Sequence, residues 1–293
     1  MTDQVIYDRG YRTYDGPRLG PRGARRAVFK DGVRRVLGLG RKARQKIFPW
    51  TLISIAIIGA AIFIGIHWAI GNIEESLREG APTYGGLFDF YSGISLLFIA
   101  LAGPQLLIPD RTTGVLSVYF SRPLTVDGYL SSKVGAFATV VGAIYIVPQI
   151  VLHLGLALIA SDGFLPYLGD HLDILWQVPV TTAAFIALHG ALVFSLSAVI
   201  DRTGIAAASF LGILFAGGAI AGRVAEATFP GARYAALLAL DHHPRIIRDH
   251  LFGDTVDYAP ELAGFEVWVS VVVIVGLVVV ATWFVRQRYR RLA

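Results

Sequence analysis

The chain has 293 residues, 55% hydrophobic and only 16% charged, with a mean hydropathy of +0.59. Soluble chains carry about a quarter charged residues, so this composition excludes a disordered protein and argues against a water-soluble enzyme. No cysteine is present, which excludes a disulfide framework, a cysteine-rich zinc site and a thiol nucleophile, and the net charge of +5 is informative mainly through where it falls.

Thirteen of the 26 Lys and Arg residues precede Trp50, against four acids, so this leader carries +9 and the rest of the chain is net acidic. Forty-nine residues are too many for the charged region of a signal peptide, and a retained cytoplasmic arm is expected. Residues 1–25 are rich in Gly, Pro, Arg and Tyr without periodicity, the pattern of a flexible arm. Over 26–48, Phe29, Val33, Val36, Leu37 and Leu39 interleave with Lys30, Arg34, Arg35, Arg41 and Lys42. That predicts an amphipathic helix at the inner membrane surface, facing anionic lipid, although Gly32, Gly38 and Gly40 weaken it.

Six stretches then reach the ~20 apolar residues needed to cross ~30 Å of hydrocarbon: 50–70, 87–108, 134–160, 176–200, 204–222 and 266–285. Away from their ends none contains Asp, Glu, Lys or Arg, each of which costs about 2.5–3.5 kcal/mol at a helix centre. With the N-terminus inside, 21 basic residues fall on the cytoplasmic side and five outside. The positive-inside rule thus predicts an all-α, six-span protein of the cell membrane with both termini in the cytoplasm.

The third span contains Pro148, where a kink is expected, followed by Gln149 and His153; His67 and His189 lie in or near other spans. Polar residues at membrane depth are candidate pathway groups, here Gln149, His153 and His189, although a neutral histidine bonded to a neighbouring helix is the commoner outcome. In the fifth span Gly212, Ala216, Gly218 and Gly222 follow small-xxx-small spacing, which predicts close helix packing within the chain or with a second copy. The outer loop 223–265 is too apolar for a free loop, and short helices dipping into or lying on the outer leaflet are expected there. Its Asp241, His242, His243 and His250 follow no metal-ligand spacing, so no metal site is assigned.

The inner loop 109–133 reads PDRTTGVLSVYFSRPLTVDGYLSSK. Its apolar stripe, Val115, Leu116, Val118, Tyr119 and Phe120, is too short to span. A short helix is predicted, begun by Thr112 or Thr113 and ended near Ser121 because Pro123 disfavours helix at Arg122. An exposed apolar helix needs a protein to dock against. Asp110 and Arg111, then Gly114, Leu116, the turn Ser121, Arg122, Pro123 and Leu124, and finally Tyr129 and Lys133, resemble the ABC-2 type permeases of ATP-binding cassette transporters. With the six spans and the basic leader, the likeness covers nearly the whole chain. The long arm before Arg26 is a departure from short family members.

The resemblance implies a half-transporter whose inner loop is a coupling helix seated in a separate ATPase subunit. Asp110, Arg111, Gly114, Leu116, Tyr119, Phe120, Arg122 and Pro123 would be its coupling residues. It further implies paired re-entrant helices before the last span and a dimer with a second permease copy through the first and fifth spans. The chain lacks the phosphate cradle G-x-x-x-x-G-K-[ST], its nearest string being GLGRKAR at 38–44, so ATP and Mg would be bound by the partner. The function expected is that of an exporter's permease subunit, with membrane lipid as a further partner and no role for nucleic acid. An intramembrane enzyme, which needs a nucleophile and base or a carboxylate pair at depth, and a nonenzymatic scaffold are the competing readings.

Overall fold

In the computed structural model, residues 16, 19–40, 43–71, 82–121, 123–225 and 231–292 are described, and all regular structure among them is helical. The residues of the N-terminal arm before 16, and Arg122, lie outside the described residues. In chain order the helices are α1 (Gly20–Val36), α2 (Ala43–Gly71), α3 (Tyr84–Thr112), α4 (Val115–Phe120), α5 (Val126–Ile159), α6 (Phe164–Asp170), α7 (Ile174–Val199) and α8 (Thr203–Ala225). A 3-10 helix (Ala232–Leu238), α9 (His242–Phe252), α10 (Ala259–Leu262) and α11 (Val267–Arg290) complete the order. Six of these, α2, α3, α5, α7, α8 and α11, are long and apolar enough to cross a membrane. They correspond to the six stretches read from the sequence.

The spans alternate in direction, as the pairings at their ends show. Arg35 reaches Asp110 at the end of α3, Asp127 at the start of α5 meets Arg286 near the end of α11, and Arg111 meets Asp201 between α7 and α8. All of these lie at what we call the N-terminal face. At the opposite face, Thr83 before α3 bonds Asp254 after α9, and Tyr84 bonds Tyr167 of α6.

The core is built on α3, whose most apolar window is 72% buried, with α5 and α7 packed on it; α11 by contrast is 17% buried and serves as an outer wall. Phe88, Tyr145 and Phe185 stack at 5.9–6.1 Å across α3, α5 and α7, an arrangement in which ring quadrupoles add to area burial. Tyr91 donates to the carbonyl of Tyr145 at 3.1 Å, and Ser95 bonds the Tyr145 hydroxyl at 2.6 Å. These polar contacts at depth are paired within the protein, as a lipid surround requires.

Local chemistry sets several boundaries. The N–H of Gly128 donates to Thr125 Oγ1 at 3.1 Å, so α5 begins at Val126, about two turns before the apolar run. α3 continues through Pro104 and Pro109 to Thr112. The 25-residue inner loop expected from hydropathy therefore contracts to 113–125, and Asp110 and Lys133 become helical and buried. α4 spans Val115–Phe120 with Ser121 as its C-cap, but its N-cap is Gly114 at φ 73°, with no side-chain cap from Thr112 or Thr113. Both threonines instead bond carbonyls of the preceding turn.

α1 starts six residues earlier than the expected 26 and stops at Val36, where Gly38 and Gly40 take left-handed φ values of 66° and 79°. Gly32, which weakens the helix by propensity, has a packing role. A Cβ there would stand 2.7 Å from Ala136 Cβ of α5, so the helix lies directly on the bundle through Val28, Gly32 and Val36. Its Arg22, Arg25, Arg26, Lys30 and Arg34 are exposed, with the Arg25 side chain lying over Gly128 of α5. The segment between α8 and α11 does form short helices, and α9 is set against α3, α7 and α11; α6, in the loop before α7, is a further short helix not expected from hydropathy.

Candidate functional site

The N-terminal face gathers the polar residues of the 109–133 segment. Asp110 sits in the last turns of α3, where the helix dipole disfavours a carboxylate, and it is 3% exposed. Three groups compensate it: Arg35 Nη1 at 2.7 Å, Lys133 Nζ at 2.8 Å and the Tyr129 hydroxyl at 2.9 Å. Arg35 also holds Asp31 at 2.8 Å, and Lys133 lies 3.7 Å from the same carboxylate. Two acids and two bases thus cancel. Burial pulls the Arg35 guanidinium down, but Asp110 and Asp31 outweigh it and raise its pKa above the ordinary value. This cluster pins α1 to α3 and α5.

Arg111 points a different way. Its Nη1 meets Asp201 at 2.6 Å, while Nη2 donates to the carbonyls of Ser197 and Ile200. Those carbonyls belong to the end of α7, where helix geometry leaves acceptors without intrahelical partners. Arg111 therefore ties α3 to the α7–α8 corner.

Between these two anchors hangs α4. Leu116 is buried, Tyr119 and Phe120 pack half-buried against the Tyr129 ring at 5.9 and 6.0 Å, and Tyr129 stacks on Tyr289 of α11 at 5.8 Å. Val118 is 52% exposed, and Ser117, Ser121 and Pro123 are exposed around it. Of the residues singled out from sequence, Asp110, Arg111 and Leu116 are thus turned into the protein, Gly114 shapes the turn, and Tyr119 and Phe120 form the underside of α4. Arg122 lies outside the described residues. The arrangement joins a short helix through ion pairs and stacked rings to α1, α3, α5, α7 and α11.

A second polar cluster occupies the opposite face. Asp89 accepts from Arg245 at 2.9 Å and from Arg248, which also bonds Asp249 and, at 2.9 Å, the Tyr258 hydroxyl. Arg245 continues to Asp241 at 2.9 Å, and Asp241 meets His189 Nε2 of α7 at 3.0 Å. Burial pushes the Asp241 carboxyl up, but the hydrogen bond and charge of His189 together with Arg245 hold it well below the usual carboxylate range. Arg245 and Arg248 are lowered by burial and raised further by their acids, with a net upward shift. His243 bonds Ser270 Oγ of α11 and the Leu237 carbonyl, both at 3.0 Å, and His242 accepts from the N–H of Ala259; burial keeps both below the ordinary histidine value.

His189 therefore anchors α9's leading residue to α7. Gln149 donates to the Tyr84 carbonyl and the Tyr91 hydroxyl, both at 3.0 Å, and His153 Nδ1 lies 2.8 Å from the Tyr84 hydroxyl. Tyr84 borders a cavity of about 550 Å³ at the opposite face, with His67, Tyr167, His171, Gln177 and Phe252 among its lining. None of Gln149, His153 and His189 is among the residues that line that cavity; His153 reaches its edge only through Tyr84. On α8, Gly212 and Ala216 are exposed and, among the described residues, nothing lies within 4 Å of a Cβ placed at Gly212, whereas one at Gly218 would stand 3.9 Å from His242 Nε2.

The opposite-face network escaped the sequence reading. Its trace was there: Arg245 and Arg248 stand three residues apart in an apolar segment, and Asp241 is four before Arg245. Two such cations on one helix face require acids, and Asp89, at the edge of the second span, is one of them. Comparison of the sequence with known protein families and with curated proteins finds no match.

Proposed function

We propose that the chain is the membrane-spanning subunit of an ATP-binding cassette transporter, acting as an exporter with a separate ATPase subunit that binds ATP and Mg. The observation that carries this reading is the mounting of α4. It presents Val118 outward on a six-residue helix, while its flanks are fixed to five other helices by Asp110, Arg111 and Tyr129. A partner that displaced α4 on binding nucleotide would shift the whole bundle between two arrangements, provided it binds one of them more tightly. In this reading the N-terminal face is cytoplasmic, the membrane is the cell membrane, and the 3-10 helix, α9 and α10 are the family's re-entrant pieces. A second permease copy packs on α2 and α8, where Gly212 and Ala216 are open. Nucleic acid has no part.

The test is copurification. Wild-type chain, gently solubilised, brings down a nucleotide-binding protein whose ATP turnover it stimulates. Val118→Glu lowers both about tenfold or more, since a buried charge at an interface costs several kcal/mol, whereas Leu172→Glu, exposed at the opposite face, changes neither. Equal recovery with Val118→Glu rejects the assignment.

A further inference from the structure

A groove of about 360 Å³ runs between α5, α7 and α11 and plays no part in the linkage described above. Its mouth is at the N-terminal face, marked by Asp127 and Arg286. Phe137, Ile186 and Val278 line it farthest along the helices from this mouth, with Gly190 and Ala191 between. From Asp127 to Phe137 is ten residues of one helix, about 15 Å at 1.5 Å per residue. That is half of the ~30 Å hydrocarbon thickness, hence the depth of one leaflet.

The chemistry changes along this length as it does along a phospholipid. Below the mouth the lining is almost wholly apolar, with the hydroxyls of Ser131 and Thr282 as side-chain exceptions. At the mouth Arg286 uses Nε and Nη2 on the two oxygens of Asp127, at 2.7 and 2.6 Å, which orients the guanidinium and leaves Nη1 for another acceptor. Arg290, one helical turn beyond Arg286 on α11, acts on Asp127 electrostatically, so a second cation stands near the opening, outside the residues that line it. Asp127 and Arg286 are each about half exposed, and an exposed pair of this kind contributes little to folding. Basic pockets between spanning helices at this level bind lipid headgroups.

We propose that this groove holds one acyl chain of a phospholipid with an anionic, hydroxyl-bearing headgroup such as phosphatidylglycerol. The phosphate meets Arg286 and Arg290, and a headgroup hydroxyl donates to Asp127. Phosphatidylcholine, which has no net charge and no donor, fits the slot but not the mouth. The proposal does not depend on the transport reading.

The test uses full-length protein in mild detergent, with retained lipid counted by native mass spectrometry after addition of phosphatidylglycerol or phosphatidylcholine. Wild type retains phosphatidylglycerol at least tenfold better. Arg286→Ala with Arg290→Ala removes that preference, a loss matching one charge-assisted contact. Thr282→Trp, at an exposed groove position, blocks the slot with the mouth intact and lowers retention of both lipids. Because the chain is cysteine-free, Val134→Cys can carry a photo-crosslinker in the groove, and its adduct should be lipid. Equal retention of the two lipids by wild type, unchanged retention in both variants, or crosslinking of Val134→Cys to a protein helix each overturns the proposal.

Discussion

Asp110 shows how one residue's role depends on its surroundings. In the sequence it is an acid beside a base, in a segment expected to be exposed; in the structure its carboxylate is the shared partner of Arg35, Lys133 and Tyr129. Removing one member of a buried ion pair costs about 3–5 kcal/mol, because the remaining charge stays buried, while replacing the pair by apolar groups is often neutral. Asp110→Ala is therefore expected to lower the unfolding midpoint strongly in detergent. Adding Lys133→Met should restore much of the loss, which a double-mutant cycle would measure. At the other face Asp241 carries a pH signature. Its folded pKa is depressed, so the stabilisation is present above the ordinary carboxylate value near 4 and is lost as pH falls below it. Asp254, raised chiefly by burial, acts in the opposite sense. The readout is accordingly the difference between wild type and Asp241→Asn: large at pH 7 and shrinking toward pH 3. A constant difference would count against the His189–Asp241–Arg245 linkage.

At the scale of elements, the lengths of the spans show what hydropathy can and cannot supply. The six apolar runs match six helices because lipid leaves backbone groups no other way to be satisfied. Their ends are fixed by different chemistry. Thr125 caps α5 nine residues before the apolar stretch at 134, and the intervening Asp127, Tyr129 and Lys133 are polar because they belong to the linkage and the groove mouth. The short helix 115–120 was legible from its stripe and from Pro123, but its anchors were not, since Arg35 and Asp201 are 75 and 90 residues from their partners. Likewise Gly32 reads as a fault in α1 until α5 is placed against it. Gly32→Leu should force α1 off the bundle, through the overlap with Ala136 Cβ. Overpacking of this kind costs about 1–3 kcal/mol. The expected outcome is faster hydrogen exchange across 20–36 with the spans unaffected, and unchanged protection would contradict the docking of α1 through this glycine.

For the molecule as a whole, two polar networks sit at opposite ends of an apolar bundle, and both join helices distant in sequence. The N-terminal network connects α1, α3, α5 and α7, with Tyr129 extending it to α4 and α11; the other connects α3, α7 and α9. Tilting of helices as units about these end contacts and the α3 core is the motion the proposed transport requires. In the proposed topology the N-terminal face is cytoplasmic, an orientation supported by charge, with 21 basic residues assigned to that side and five to the other. Single cysteines at Thr113 and Leu172 should thus label from the cytoplasmic and external sides of intact cells, respectively. The same absence of native cysteine allows the most direct test of the central claim, that α4 docks a separate ATPase. Val118→Cys, carrying a short crosslinker in native membranes, is predicted to join a protein whose tryptic peptides include G-x-x-x-x-G-K-[ST], with a yield that changes when ATP is added. Crosslinking only to lipid or to a second copy of this chain, with or without ATP, would contradict it.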